Sequence, residues 1–170
     1  MNILVTGGAG FIGSHTIIAL LKENYKVVIL DNLSNSSEET LSKISLLIGQ
    51  SLTFIKGDIR DYELIFQSLV DYKINAVVHF AGLKSVNESL SKPINYYDNN
   101  VNGTICLCKA MANAGVFNLT FSSSATVYGE QKNLPISEKQ IAGFTKNPYG
   151  RSKFIIEQIL SDIASSDNRW

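Results

Sequence analysis

Two cysteines, no excess of either charge and no long apolar run each close off a class of function. Fifteen basic residues against fifteen acidic ones give a formal charge of zero. The broad attraction that a nucleic-acid or anionic-membrane binder needs is therefore missing, and neither partner is expected. Cys106 and Cys108 lie two apart in a stretch that reads as helix, where i and i+2 point in different directions. They suit neither a shared metal nor a disulfide framework, and buried or half-buried thiols are expected instead. No metal motif appears. His15 and His79 have no nucleophile or ligand partner close in sequence, and His79, at a strand end, reads as a core histidine. Apolar runs such as Ile17-Ile18-Ala19-Leu20-Leu21 fall far short of a bilayer span. The first eight residues have no basic start, and a glycine pair stands where a signal peptide would continue its apolar stretch, so a cytoplasmic protein is expected.

What is present is a chain able to bury a core: 170 residues, 45% hydrophobic and 18% charged, the size of one domain. Short β-branched runs at 3–6, 27–31, 52–56, 76–80 and 119–122 predict five strands. Between them, residues 12–23, 37–48, 61–71 and 93–114 carry apolar positions at helical spacing, as in Ile17, Leu20 and Leu21. Such alternation means parallel strands with right-handed crossovers, and strands apolar on both faces mean helices front and back. The expected fold is a doubly wound, Rossmann-like α/β sheet in the order 3-2-1-4-5. Residues 123–147 hold Gly129, Pro135 and Gly143 without sustained period and read as a long loop, which in a compact domain is more often functional than idle. Asn147-Pro148 then supplies an N-cap and a first-turn proline for a helix to about residue 163, and 165–170 reads as a linker.

Gly7-Gly8-Ala9-Gly10-Phe11-Ile12-Gly13 follows the first strand directly and opens the first helix. A side chain at such a turn would keep the backbone away from a pyrophosphate, while the helix start offers free N–H donors and the positive end of a dipole. Asp31 ends the second strand, 18 residues after Gly13, where a carboxylate can accept from adenosine ribose hydroxyls and repel a 2′-phosphate. NAD is favoured over NADP, although an aspartate at a strand end is sometimes a plain turn former. Asp58, at the end of the third strand, could reach an adenine edge or could be a helix N-cap or turn residue.

Tyr149 and Lys153 stand at i and i+4 near the start of the last helix and share one face. A lysine ammonium beside a phenol favours the phenolate, as does a helix N-terminus, so the pair suits a base. With 7 tyrosines and 12 lysines in the chain, a chance match of this spacing is unremarkable, and Tyr128–Lys132 is a second one. That pair lies in the loop between Gly129 and Pro135, where no helix is expected to align it, so Tyr149 is preferred. Ser122 to Ser124 leave the fifth strand at its carboxyl end, where ligands of α/β sheets lie, although turn chemistry would use the same residues.

Together with Asp31-Asn32-Leu33, Gly57-Asp58-Ile59-Arg60, His79 to Lys84, Tyr96 to Thr104 and Pro148 to Lys153, these motifs run through almost the whole chain. They resemble the UDP-glucose 4-epimerase family of the extended short-chain dehydrogenase/reductase superfamily. The resemblance implies tightly bound NAD, with Gly7, Gly10, Phe11, Ile12, Gly13, Asp31, Asn32, Asn35, Asp58, Ile59, Phe80, Ala81, Gly82, Lys84 and Asn99 in the cofactor pocket beside Tyr149 and Lys153. It implies Tyr149 as base, Lys153 as its electrostatic partner and ribose anchor, and Ser124 as a donor to the sugar hydroxyl. The reaction implied interconverts UDP-glucose and UDP-galactose through transient oxidation at C4, a step of galactose metabolism. A homodimer is implied, built on the helices at 93–114 and 149–163.

Family members are roughly twice as long. The expectation is therefore an NAD-binding half, without the substrate domain and later strands, that binds NAD more weakly than a complete member, associates through its exposed fifth strand and shows no turnover. Two other readings compete. Nucleotide-sugar 4,6-dehydratases share fold and cofactor, but their relatives place an Asp-Glu pair where Ala125-Thr126 follow Ser124 here. A non-catalytic NAD-binding module is the other.

Overall fold

A computed structural model describes residues 1–131 and 134–170. Five strands form: β1 (Asn2–Thr6), β2 (Lys26–Asp31), β3 (Thr53–Lys56), β4 (Ala76–His79) and β5 (Asn118–Phe121). They make one parallel sheet in the order β3-β2-β1-β4-β5. This is the expected doubly wound topology. Helices α1 (Phe11–Lys22), α2 (Glu38–Ile48) and α3 (Tyr62–Asp71) match the expected segments to within a residue or so.

By contact density the described residues divide into two compact units, 1–81 with 105–122, and 82–104 with 123–170. The first holds the sheet. Alternate residues Ile3 and Val5 of β1 and Val27 and Ile29 of β2 form a core cluster with Ala9 and Ile17 and with Leu41 and Ile44 of α2. The intervening Leu4, Val28, Leu30 and Val77 are buried as well, as a sheet covered on both faces requires. The expectation of strands apolar on both faces holds for β1 and β2. It weakens at β3 and β5, whose residues are half-buried or exposed because each pairs along one side only. Burying side chains of the size of Leu4 or Ile29 contributes roughly 1.5–3 kcal/mol each.

In the second unit the structure departs from expectation. A short helix α4 (Val86–Ser91), unforeseen, is capped by Ser85, whose Oγ accepts from Glu88 N at 3.3 Å. The single helix expected over 93–114 starts as α5 (Pro93–Tyr96), widens into a π turn (Tyr97–Asn102) and continues as α6 (Gly103–Ala114). Thr104 Oγ1 donates to Asn100 O at 2.7 Å inside this change of register. The loop after β5 contains a 3-10 turn (Ala125–Tyr128). Helix α7 (Pro148–Ser166) starts where Asn147-Pro148 indicated, with Asn147 Oδ1 accepting from Gly150 N at 2.7 Å, and runs into the segment expected as a linker. Among the described residues no helix is long and apolar enough to cross a membrane.

Candidate functional site

The first unit gathers polar groups at the carboxyl end of its strands. Gly7 N donates to Leu30 O at 2.8 Å, Gly57 N to Asp31 O at 3.1 Å and Phe80 N to Thr6 O at 3.0 Å, so the turns after β1, β3 and β4 leave the same edge. Gly7 takes a φ of +69°, and a Cβ there would lie 2.5 Å from Ala81 N. At Gly13 a Cβ would collide with the Gly7 carbonyl oxygen and come within 2.8 Å of Gly8 Cα. Both glycines are therefore required by the tight return into α1, before any ligand is considered. Among the described residues no side chain caps α1, and its first turn contains no acid. Its opening side chains, Phe11 and Ile12, are exposed at 73% and 58%. Such a helix start has its backbone donors and positive dipole end available to an anion.

Asp31 is buried, and both of its carboxylate oxygens are bonded to the chain. Its Oδ2 accepts from Ala9 N at 2.9 Å, and its Oδ1 from Leu33 N at 2.9 Å and Ser36 Oγ at 3.0 Å. The turn-forming role is thus present, and with it a clamp on the glycine turn that the sequence did not reveal. Asp58 forms the turn into Arg60, accepting from Arg60 N at 3.0 Å and from its guanidinium at 2.8 Å, and from Asn32 Nδ2 at 3.0 Å. The guanidinium, with these hydrogen bonds, holds the Asp58 carboxyl far below the ordinary carboxylate range. The cap of α3 is Asp61 rather than Asp58. Asn32 and Asn35 are exposed, while Ile59 is buried and its side chain belongs to the core. His79 is buried, with Nδ1 2.6 Å from Thr6 Oγ1, as a core histidine should be.

The second unit holds the remaining residues. Tyr149 and Lys153 lie in the first turns of α7, and Lys153 is only 5% exposed. Burial pushes its ammonium down to about 8, still largely charged at neutral pH. Lys153 Nζ lies 3.7 Å from where a Cβ on Gly82 would stand, so Gly82 leaves the lysine its room. The ring of Tyr149 meets that of buried Tyr96 edge-on, with centroids 6.4 Å apart, and Tyr96 donates its hydroxyl to Glu88 at 3.1 Å. Asn100 is the hub. It donates to Leu83 O and Ser152 Oγ and accepts from Leu83 N and Asn99 Nδ2, all within 2.8–3.1 Å. Sequence reading named Asn99 and passed over Asn100, although a buried polar side chain inside an amphipathic stretch is itself a signal.

Ser124 opens the 3-10 turn, its Oγ accepting from Thr126 Oγ1 at 2.9 Å and from Thr126 N at 3.3 Å. Turn chemistry is thus confirmed there, and it leaves the Ser124 hydroxyl hydrogen available to donate. No carboxylate occupies Ala125–Tyr128. Gly82, Tyr149, Lys153 and Asn99 are brought together around Asn100 and its neighbours, whereas Lys84 is exposed. Of the competing pair, Tyr128 ends the 3-10 turn and Lys132 lies outside the described residues. Cys106 is half-buried and Cys108 buried, and burial raises both thiols, Cys108 to about 11, so neither is a poised nucleophile.

Comparison with known proteins adds the lineage. The chain is 53% identical over 169 residues to the UDP-glucose 4-epimerase of Neisseria meningitidis serogroup A, covering 99% of this chain and 50% of that one. It is 51% identical over 170 residues to the UDP-glucose 4-epimerase of Bacillus subtilis, again with half of the relative covered. Among solved structures, UDP-glucose 4-epimerase from Bifidobacterium longum in complex with NAD+ and UDP superposes with a TM-score of 0.96 at 48% identity, over 98% of this chain and 50% of the other. The enzyme from Stenotrophomonas maltophila with bound NAD and formylated UDP-arabinopyranose gives 0.94 at 45% identity, over 98% and 49%. The chain thus spans about half the length of the relatives it matches. A family model described as GDP-mannose 4,6 dehydratase matches residues 4–170, and this chain belongs to that family, beside relatives named UDP-glucose 4-epimerase.

Proposed function

We propose that this chain is the NAD-binding half of a UDP-glucose 4-epimerase, carrying its cofactor cradle and its proton-transfer residues. The cradle fits a dinucleotide. The glycine turn and open start of α1 offer backbone donors to a diphosphate, and Asp31 stands at the end of β2 for the adenosine ribose, with Asn32, Asn35, Asp58 and Ile59 along the adenine side. In this reading Phe80 and Ala81 of the first unit also serve the cofactor, as do Gly82, Lys84 and Asn99 of the second. When bound, NAD would supply a reversible hydride acceptor for C4 of the sugar, which keeps the reaction redox-neutral overall.

The protein's own work is proton transfer and orientation. Tyr149 Oη accepts the proton of the 4-hydroxyl as the 4-keto sugar forms and gives it back after the sugar has turned over. The Lys153 ammonium, one helical turn on, stabilises the phenolate form of Tyr149 that accepts this proton, and anchors the nicotinamide ribose. Ser124 donates to the sugar oxygen and holds it in line. The observation that carries this reading is Lys153, a largely charged lysine nine-tenths buried on the face it shares with Tyr149. The family model's description favours a 4,6-dehydratase instead, but that elimination needs a carboxylate after Ser124, where Ala125-Thr126 stand.

Self-association is part of the proposal. Ile155, Ile159 and Ile163 form a half-exposed apolar row on α7, suited to packing against a second copy, and a cytoplasmic location belongs to the same proposal. Two measurements test the reading. NAD titrated into the protein by calorimetry should bind in preference to NADP, and Asp31→Ala should weaken NAD about tenfold to a hundredfold while narrowing that preference. Protein completed with the family's other half should convert UDP-galactose to UDP-glucose. A 6-deoxy-4-keto product would make it a dehydratase, and NAD binding without any turnover would make it a binding module.

A further inference from the structure

Residues 149, 153 and 157 recur every four positions along α7 and so share one face. The third, Glu157, is half-buried and has no part in the proton transfer just described. Its Oε1 accepts a hydrogen bond from Ser123 Oγ at 2.5 Å, across 34 residues of chain. Ser123 immediately precedes Ser124, and Ser124 closes the 3-10 turn through Thr126 and through its own carbonyl, which accepts from Val127 N at 3.1 Å. The second residue of the turn is closely packed as well, since a Cβ on Gly150 would lie 3.1 Å from Thr126 O. The turn that carries Ser124 is therefore held to the helix that carries Tyr149 at two points, one steric and one polar.

We propose that Glu157 is a positioning residue: through Ser123 it fixes the Ser124 hydroxyl against the Tyr149–Lys153 face of α7. What the fixed geometry is used for rests on the epimerase reading. A hydroxyl bound to a carboxylate is a strong, directional link, and a reacting constellation misplaced by about 1 Å loses on the order of a hundredfold in rate. Gln at this position keeps an acceptor for Ser123 without the charge, whereas Leu removes the acceptor and keeps the bulk.

Hydrogen exchange at the amides of Thr126, Val127 and Gly129 reads the turn in the chain itself. Glu157→Leu should speed their exchange about tenfold or more while amides in the body of α7 stay as they were, Glu157→Gln should change them less, and Ser123→Ala should add nothing to Glu157→Leu. In the turning-over enzyme, Glu157→Leu should lower kcat about tenfold to a hundredfold with KM for UDP-galactose within about threefold, and Glu157→Gln should restore most of it. Unchanged exchange in Glu157→Leu, or a rise spread equally along α7, overturns the proposal whatever the kinetics. Exchange that responds as stated in a protein without epimerisation sustains the link and removes the epimerase reading instead.

Discussion

Helix α1 begins at Gly10 with no side-chain cap among the described residues and no acid in its first turn, whereas α7 begins at Asn147, whose side chain occupies Gly150 N, and Pro148, which has no N–H to satisfy. Both starts follow a strand-end region of an α/β chain and both carry positive dipole ends. The first leaves its donors to something outside the chain, and its demands on sequence are demands for the absence of side chains: Gly7 at φ +69°, and Gly13 against the Gly7 carbonyl. The second settles its own donors, and its contribution is made by side chains arrayed behind the cap, Tyr149, Lys153 and Glu157. A helix N-terminus left open has donors to offer a ligand, and one that is closed is a rigid mount.

Substitutions on the two helices should break this contrast in recognisable ways. The largest effect belongs to α7: Tyr149→Phe should cut turnover about a thousandfold, roughly 4 kcal/mol of barrier, with NAD binding and fold kept, and Tyr128→Phe should not match it, as steady-state kinetics beside NAD calorimetry will show. On α1, Gly13→Ala should lower unfolding stability by about 3 kcal/mol and abolish NAD binding together, since one methyl meets backbone on two sides; denaturant titration measures the first and calorimetry the second.

Lys153 gives a pH signature. Its folded-state value of about 8 lies below the ordinary 10.5, so between those two values the unfolded chain binds more protons than the folded one, and stability must rise with pH across that window. The penalty is complete below about 8. Lys153→Met should flatten the rise, which is on the order of 2–3 kcal/mol, in melts run from pH 7 to 10.5. Smallest of the four, Asn147→Ala should cost about 1 kcal/mol of stability and leave NAD affinity within twofold, the mark of a cap whose work is internal.

The sheet and the first three crossover helices were legible in the sequence because β-branched runs and 3.6-residue spacing report burial directly, and the glycine turn because its spacing has one structural solution. Tyr149 was preferred to Tyr128 because Asn147-Pro148 announces a helix there and nothing announces one around Tyr128, and the helix does start at the Asn147 cap. What escaped depends on contacts between distant positions: Asn100 to Ser152, Tyr96 to Tyr149 and Ser123 to Glu157 are 52, 53 and 34 residues apart, and no local period signals them. The π turn escaped for a different reason. Over six residues an i→i+5 register shifts the apolar pattern by one position, which a helical reading of 93–114 absorbs without protest.

That turn makes chain length, as well as residue identity, a constraint on this region. Removing Tyr97, Asp98 or Asn99 would let the segment close as ordinary α-helix and would place Asn100 three residues after Tyr96 instead of four, about 1.5 Å closer along the axis. Tyr96 and Asn100 would then no longer meet the Tyr149 ring and Ser152 together, although neither of them nor either partner had been altered. Related sequences that differ from this one at 97–99 should still be intolerant of a single deletion there, and an alignment gap at those positions would mark either an error of alignment or a protein that no longer holds Tyr96 and Asn100 in this relation.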